Sequence, residues 1–452
     1  VKILRPLALG LCLLPLAACA PSRPQPPKGI LVILVDALRY DHVGLDGSKL
    51  PLTPAIDATG PESVVFRRAY AQASWTRPSV PSLFTGLYPS EHGLGDFIVQ
   101  GPKVEGQALS PKVETLAEGL KAAGYRTALV GYQAQLSPRF GVDQGFDFYN
   151  NNTQGAPRID KRFLGWLDEK PGQPFFAYLH YLDIHWPYCP PASTYGKFGP
   201  TEGAIDFCGN WRKLREDIHS GAVVLNDTDK KALAGRYAEE ILALDGEIGQ
   251  LFQALKDRGA WNDTLIVLTA DHGEELMERG GIEHGQSMHE ELLHVPFIWK
   301  LPASWGSARG RSVDDLIETR SLLPTLFDLV GQPVAKEVSA PSLLPWVVGH
   351  SFDGKPLGEP FRYVAAEANG MLSVRTNEWH VIFTPEKKTW ELYDLVHDPG
   401  EWTNVADQKP EELAKMQELM RRWRTGLHPV GAQAMTLDSQ TEEGLRSLGY
   451  LH

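Results

Sequence analysis

The chain has 452 residues, enough for one large core and a smaller second one. Hydrophobic residues make up 42% and charged residues 22%, the balance of a globular protein with a sizeable packed interior. A formal net charge of −12 with no long basic run speaks against a nucleic-acid partner, and 12 Trp with 34 Pro speak against a helical bundle.

In chain order, Lys2 and Arg5 precede an apolar run at residues 7–16, too short to span a bilayer comfortably. The run ends in Leu16-Ala17-Ala18-Cys19, and small residues ahead of a cysteine resemble a lipoprotein box. Residues 1–18 are therefore expected to be a signal peptide and Cys19 the lipid-bearing residue. The Pro-rich stretch 19–28 is expected to be an extended tether. This predicts a protein of the bacterial cell envelope, held to a membrane by its lipid and facing the periplasm or the surface. A plain signal peptide with an incidental cysteine is the alternative.

Residues 29–35 (Gly-Ile-Leu-Val-Ile-Leu-Val) form an unbroken β-branched run that reads as a strand buried on both faces, ending at Asp36. A helix is predicted over 116–123, then strands over 125–130 and 175–181. Ile241, Leu244, Ile248, Leu251 and Leu255 share one face of a helix predicted over 237–255 and stopped by Gly259. A strand over 264–269 runs up to Asp271, and another helix covers 320–329. Strands alternating with helices imply an α/β fold with a doubly wound, mostly parallel sheet flanked by helices.

The Pro- and Gly-rich stretch near 341–358 marks a boundary, so 29–345 is read as the large α/β domain and 346–452 as a smaller α+β subdomain with its tail. In the latter, short β-like runs at 363–367, 371–376, 379–383 and 390–394 predict an antiparallel sheet. An amphipathic helix follows over 411–423, and 436–452 closes as a helix. Setting aside Cys12 and Cys19, the pair Cys189 and Cys208 predicts a disulfide in an oxidising compartment. In the chain-entropy view such a closure is worth roughly 3 kcal/mol. Two free buried thiols are the alternative.

In doubly wound sheets, ligands lie beyond the carboxyl ends of the strands, where Asp36, the 180–185 segment and Asp271-His272 fall. Thr76 opens Thr76-Arg77-Pro78-Ser79. Two carboxylates, an imidazole and a hydroxyl make an N/O shell suited to one divalent ion, Zn, Mn, Mg or Ca. The bend at Gly273 would let the adjacent Asp271 and His272 reach one ion. Taken singly, Asp36 and Thr76 also fit helix N-caps, and Asp271-His272 also fits a decorated loop. Their convergence in one frame favours a site.

The run Thr76-Arg77-Pro78-Ser79-Val80-Pro81-Ser82-Leu83-Phe84-Thr85-Gly86 resembles the signature of the sulfatase family, within the alkaline phosphatase superfamily. Pro78, Ser79, Thr85 and Gly86 set the register and put Thr76 at the nucleophile position. Leu34-Val35-Asp36, the segment 180–188, Asp271-His272-Gly273-Glu274, the segment 290–296 and Glu391-Leu392-Tyr393-Asp394-Leu395 with Asp398-Pro399 match further blocks. The resemblance implies Asp36, Thr76, Asp271 and His272 as metal ligands and His185 as a substrate-side acid. It also implies His284 as a contact to the transferred group, Gln133 and His289 as substrate neighbours, and His180 and His294 as packing beneath the site.

The departures bear on the chemistry. Formylglycine is made from Cys or Ser, not Thr. Val80 stands where sulfatases carry an Arg, Ala37 where they carry a second metal-binding Asp, and Tyr132 follows Gly131 where they carry a Lys. The expectation is a sulfatase-like hydrolase that cleaves phosphate or phosphonate esters by in-line attack of a metal-bound Thr76. Its substrate is a small or envelope-derived anionic ester. The alternatives are a sulfuric ester hydrolase, an envelope phospho-alcohol transferase, and a non-catalytic binding protein on the same fold.

Overall fold

An apolar strand of seven residues needs cover on both faces, and the structure supplies it. In the computed structural model, which describes residues 23–100 and 103–447, β1 (Gly29–Val35) is buried at every position. It is the fifth strand of an eight-stranded sheet. The other strands are β2 (Ser63–Phe66), β3 (Arg126–Gly131), β4 (Phe148–Asn150), β5 (Phe175–Tyr181), β6 (Thr264–Thr269), β7 (Phe297–Lys300) and β8 (Arg311–Val313). Their spatial order is 8-2-7-6-1-5-3-4. β1 pairs in parallel with β5 and β6, and only β7 runs against its neighbours β6 and β2.

Alternate residues of β1 feed different layers. Ile30, Val32 and Leu34 pack with α1 (Thr76–Thr85), α2 (Leu116–Ala122) and α5 (Leu322–Val330), whereas Leu31, Ile33 and Val35 pack with α3 (Ala156–Asp168) and α4 (Asp227–Asp257). This is the expected doubly wound, mostly parallel α/β architecture. The period-2 alternation of a strand divides its side chains between two helical layers.

Beyond the sheet, β9 (Val364–Ala368), β10 (Met371–Arg375), β11 (Trp379–Thr384) and β12 (Thr389–Asp394) form the predicted antiparallel sheet, packed by α6 (Pro410–Thr425). The chain then returns. The segment Gln433–Thr436 pairs antiparallel with Lys103–Ala108, and Leu437 and Leu445 join the core of the large domain.

The differences from the sequence reading have local causes. α4 starts ten residues earlier than the apolar face suggested, at Asp227, because Asn226 and Asp229 form a capping box there. α3, β2 and β7 were not anticipated. β2 and β7 are only four residues long, too short for periodicity to register. The expected terminal helix is shorter, Ser439–Ser447, and follows the returning strand. Residues 1–22, with the expected signal peptide and lipid site at Cys19, lie outside the described residues. From Arg23 onward the stretch expected as tether rests on the body: Arg23 pairs with Asp328, and Pro27 O accepts from the Tyr125 hydroxyl at 2.7 Å. Cys189 and Cys208 form a disulfide with Cα atoms 5.1 Å apart. No helix among the described residues is long and apolar enough to cross a membrane.

Candidate active site

Three chain segments meet at the carboxyl ends of β1, β5 and β6. Asp36 leaves β1 with its N–H bonded to Tyr181 O at 2.9 Å, which keeps it level with the end of β5. Ala37 then adopts a left-handed conformation, φ 64°, costly for a residue with a Cβ. That turn directs the Ala37 N–H at Asp271 Oδ1, 3.4 Å away, and ties the two acids through backbone.

Asp271 and His272 follow β6. Gly273 has no unusual φ; its role is close approach, since a Cβ there would lie 1.9 Å from Glu291 O. Thr76 is not an N-cap. Trp75 precedes α1 in extended conformation, and Thr76 is the first residue of a helix buried along its whole length. Its Oγ1 lies 3.3 Å from Asp36 Oδ2 and 3.2 Å from His272 Nε2.

The hydrogen bonds show which atoms are committed. Asp36 Oδ2 accepts from Gln133 Nε2 at 2.8 Å and from His180 Nε2 at 3.0 Å. Since His180 Nε2 donates, its Nδ1 accepts from the Tyr178 hydroxyl at 2.9 Å. His272 Nδ1 donates to Gly273 O at 2.8 Å, which leaves a lone pair on Nε2. That nitrogen sits 3.5 Å from both Asp36 Oδ1 and Asp271 Oδ2.

Those two carboxylate oxygens are fully buried and have no hydrogen-bond partner. The hydroxyl hydrogen of Thr76 has two acceptors within reach. Bare buried oxygens of this kind are expensive unless a cation answers them. Ligand atoms of Asp36, Asp271 and His272 lie within 4.8 Å of one another, so the donor set fits one divalent ion.

The charges agree. Burial would raise Asp36, but the hydrogen bond from His180 and the neighbouring His185 and His272 outweigh it and hold the carboxyl well below its usual range. Burial, and then the Asp36 charge, push Asp271 up. Two acids at one buried point cannot both be charged cheaply without a cation.

The remaining candidates divide. The His284 ring lies 4.2 Å from that of His272, and the His185 ring 5.0 Å from His284, centroid to centroid. His284 therefore packs on His272, and His185 packs on His284. Burial drives His284 well below the usual imidazole range, with His272 and His185 adding to the effect. Gln133, expected beside substrate, bonds to Asp36 at the cluster. His289, also expected there, bonds through Nδ1 to Glu401 at 3.3 Å and meets Tyr393 edge-on. His180, read as packing, is a direct support of Asp36, and its signal was its place at the end of a central strand. Val80 lies in the apolar core with Leu83 and Phe84. Glu274, bonded to His284, had no assigned role.

The comparisons with known proteins converge. A family model described as sulfatase matches residues 28–332, more than half of the chain, and one described as N-sulphoglucosamine sulphohydrolase, C-terminal, matches 281–426. The chain is 20% identical over 457 residues to an arylsulfatase of Clostridium perfringens, with 87% of this chain and 92% of that protein covered. It is 24% identical over 518 residues to an N-acetylglucosamine-6-O-sulfatase of Bacteroides thetaiotaomicron, covering 92% of this chain and 89% of that one. Among solved structures, the phosphonate monoester hydrolase of Agrobacterium radiobacter superposes with a TM-score of 0.71 at 22% identity, over 89% of this chain and 96% of the other.

Proposed function

Because the chain belongs to the sulfatase family of ester hydrolases, we propose that it cleaves an anionic ester at the cluster of Asp36, Thr76, Asp271 and His272, with Thr76 as the attacking group. One observation carries this reading: the Thr76 hydroxyl, on the first turn of a buried helix, lies within 3.3 Å of Asp36 and of His272, next to two unanswered carboxylate oxygens. Asp36, Asp271 and His272, with Thr76 beside them, would hold a divalent cation. Such an ion, when bound, supplies the positive charge that makes a hydroxyl more acidic and an anionic ester attackable.

The chain's own groups supply the rest. Gln133 and His180 fix Asp36 so that Oδ1 faces Asp271 and His272. The Gly273 carbonyl fixes the tautomer of His272. The Thr76 oxygen gives up its proton to solvent and attacks the central phosphorus or sulfur, the ester oxygen departs with a proton from His185, and His284 contacts the transferred group. Water then releases the acid from Thr76. Removing the Thr76 hydroxyl tests the reading directly: Thr76→Ala is expected to fold, keep its ion and lose turnover, whereas full turnover would sink it.

Two classes of ester are each favoured by an observation. The relatives are named for sulfate esters, among them aryl sulfates and a 6-O-sulfated amino sugar, and the comparisons back a sulfuric ester better than the phosphoester that the residues put first. Thr76, and the apolar Val80 where the resemblance expects an Arg, favour a phosphate or phosphonate ester. The Agrobacterium structure shares the fold with this chain. Parallel assays on aryl sulfates, sulfated amino sugars, aryl phosphate mono- and diesters and phosphonate monoesters decide between them. The lipid anchor at Cys19 belongs to the same proposal and puts the enzyme among envelope-derived or imported esters. Cys19→Ala should move it from the membrane to the soluble fraction.

A further inference from the structure

Glu274 stands two residues after His272, yet its carboxylate turns to His284: Oε1 lies 3.1 Å from His284 Nδ1. The carboxylate is fully buried. His284, by contrast, sits on a segment with little regular structure. A two-residue ribbon, Glu275–Leu276 with Ile282–Glu283, precedes it. Glu283 and Gly285 on either side both have positive φ, 66° and 88°. The His284 imidazole packs against the rings of His272 and His185, and a hydrogen bond to one ring nitrogen settles which nitrogen faces which way. Glu274 supplies that hydrogen bond from just ahead of the ribbon's first strand, across from His284.

We infer that Glu274 is a positioning residue for His284: it holds the ring by Nδ1 so that Nε2 is the nitrogen presented to the ester. The inference rests on the ester-hydrolase reading of the Thr76 cluster and deepens it. A carboxylate behind a functional histidine fixes both the ring and the nitrogen that carries the proton. The pair also makes sense of this site's composition. No Lys occurs between Arg279 and Lys300, so the segment after Asp271-His272 offers the substrate an imidazole rather than a mobile ammonium. A planar imidazole must be aimed to be useful, whereas a compact ammonium need not be.

The test is a double-mutant cycle with a spectroscopic arm. Glu274→Gln is expected to lower kcat about 10- to 100-fold, the range for such supports, and to change KM by less than about threefold. Metal content should stay at the wild-type value. In a His284→Asn background the same change should cost less than about twofold, because the group it serves is gone. Glu274→Asp should fall between wild type and Gln, and it carries the test if the Gln variant does not fold. Independently of activity, the imidazole ¹⁵N resonances assigned to His284, by their loss in His284→Asn, should move in Glu274→Gln. Full multiplicative loss in the His284→Asn background, or unmoved resonances, would overturn the inference. Full turnover by Thr76→Ala would instead remove the reading beneath it and leave the resonance test standing.

Discussion

Two buried clusters of acids and histidines lie within this molecule, and they are built on opposite principles. In the Asp36–Asp271–His272 cluster two carboxylate oxygens point at each other's neighbourhood with no donor. In the second, where the C-terminal sheet meets the large domain, all four oxygens of Glu401 and Glu290 are answered. Glu401 accepts from Arg375 and from His380 at 2.7 Å on one oxygen, and from His289 at 3.3 Å and the Glu290 N–H at 3.1 Å on the other. Glu290 accepts from Arg375 and from His294 at 2.7 Å. Both regions would look like ligand sets to a count of Asp, Glu and His. What separates them is whether the protein supplies its own cation. Arg375 makes the second cluster a structural fastening, whereas the first awaits a positive charge from outside the chain.

The contrast can be broken in order of effect. Thr76→Ala should reduce turnover by about 1,000-fold or more, the scale for removing a nucleophile, while circular dichroism and melting temperature stay near wild type. Glu401→Gln should do the reverse: about 2 kcal/mol of stability is lost because buried Arg375 keeps only Glu290 as its charged partner, and kcat per folded molecule changes little. Denaturant titration checks this, and a Glu401→Gln protein as stable as wild type would erase the distinction.

Asp271→Asn should abolish ion binding by metal analysis and yet make the metal-free protein more stable, by about 1 kcal/mol, since one of two crowded acids becomes neutral. The smallest effect is expected for His289→Gln, with less than about a tenfold change in kcat and a lower melting temperature, because this histidine serves the fastening.

The clusters should also part with pH. Burial works against Glu401, but His380 and Arg375 beside it hold it well below the usual carboxylate range. Its stabilisation is therefore complete above the unfolded value of about 4.3 and is lost only as pH falls toward the lower folded value. Thermal melts of Glu401→Gln and wild type should converge below that range and separate above it.

How much of this was readable from the chain follows from physical range. β1, β5 and β6 announced themselves because strands covered on both faces read as near-continuous apolar runs. With those ends placed, Asp36, Asp271 and His272 followed, and Thr76 came through the Pro78-Ser79 and Thr85-Gly86 register. That Gln133 answers Asp36 and His289 answers Glu401 was not readable, because which carboxylate a side chain answers is decided across 97 and 112 residues of intervening chain. No local pattern encodes that. Glu274 was visible as a letter beside the metal pair, but its partner ten residues on sits across a ribbon too short to leave a period.

The returning strand has a consequence for how this enzyme comes into being. Gln433–Thr436 zips onto Lys103–Ala108, and Leu445 completes an interior begun by Ile30. A chain clipped before that point would lack those side chains from the core beside the eight-stranded sheet. The segment 433–445 thus acts as a seal on that interior. An unfinished copy should stay inert and be open to proteases.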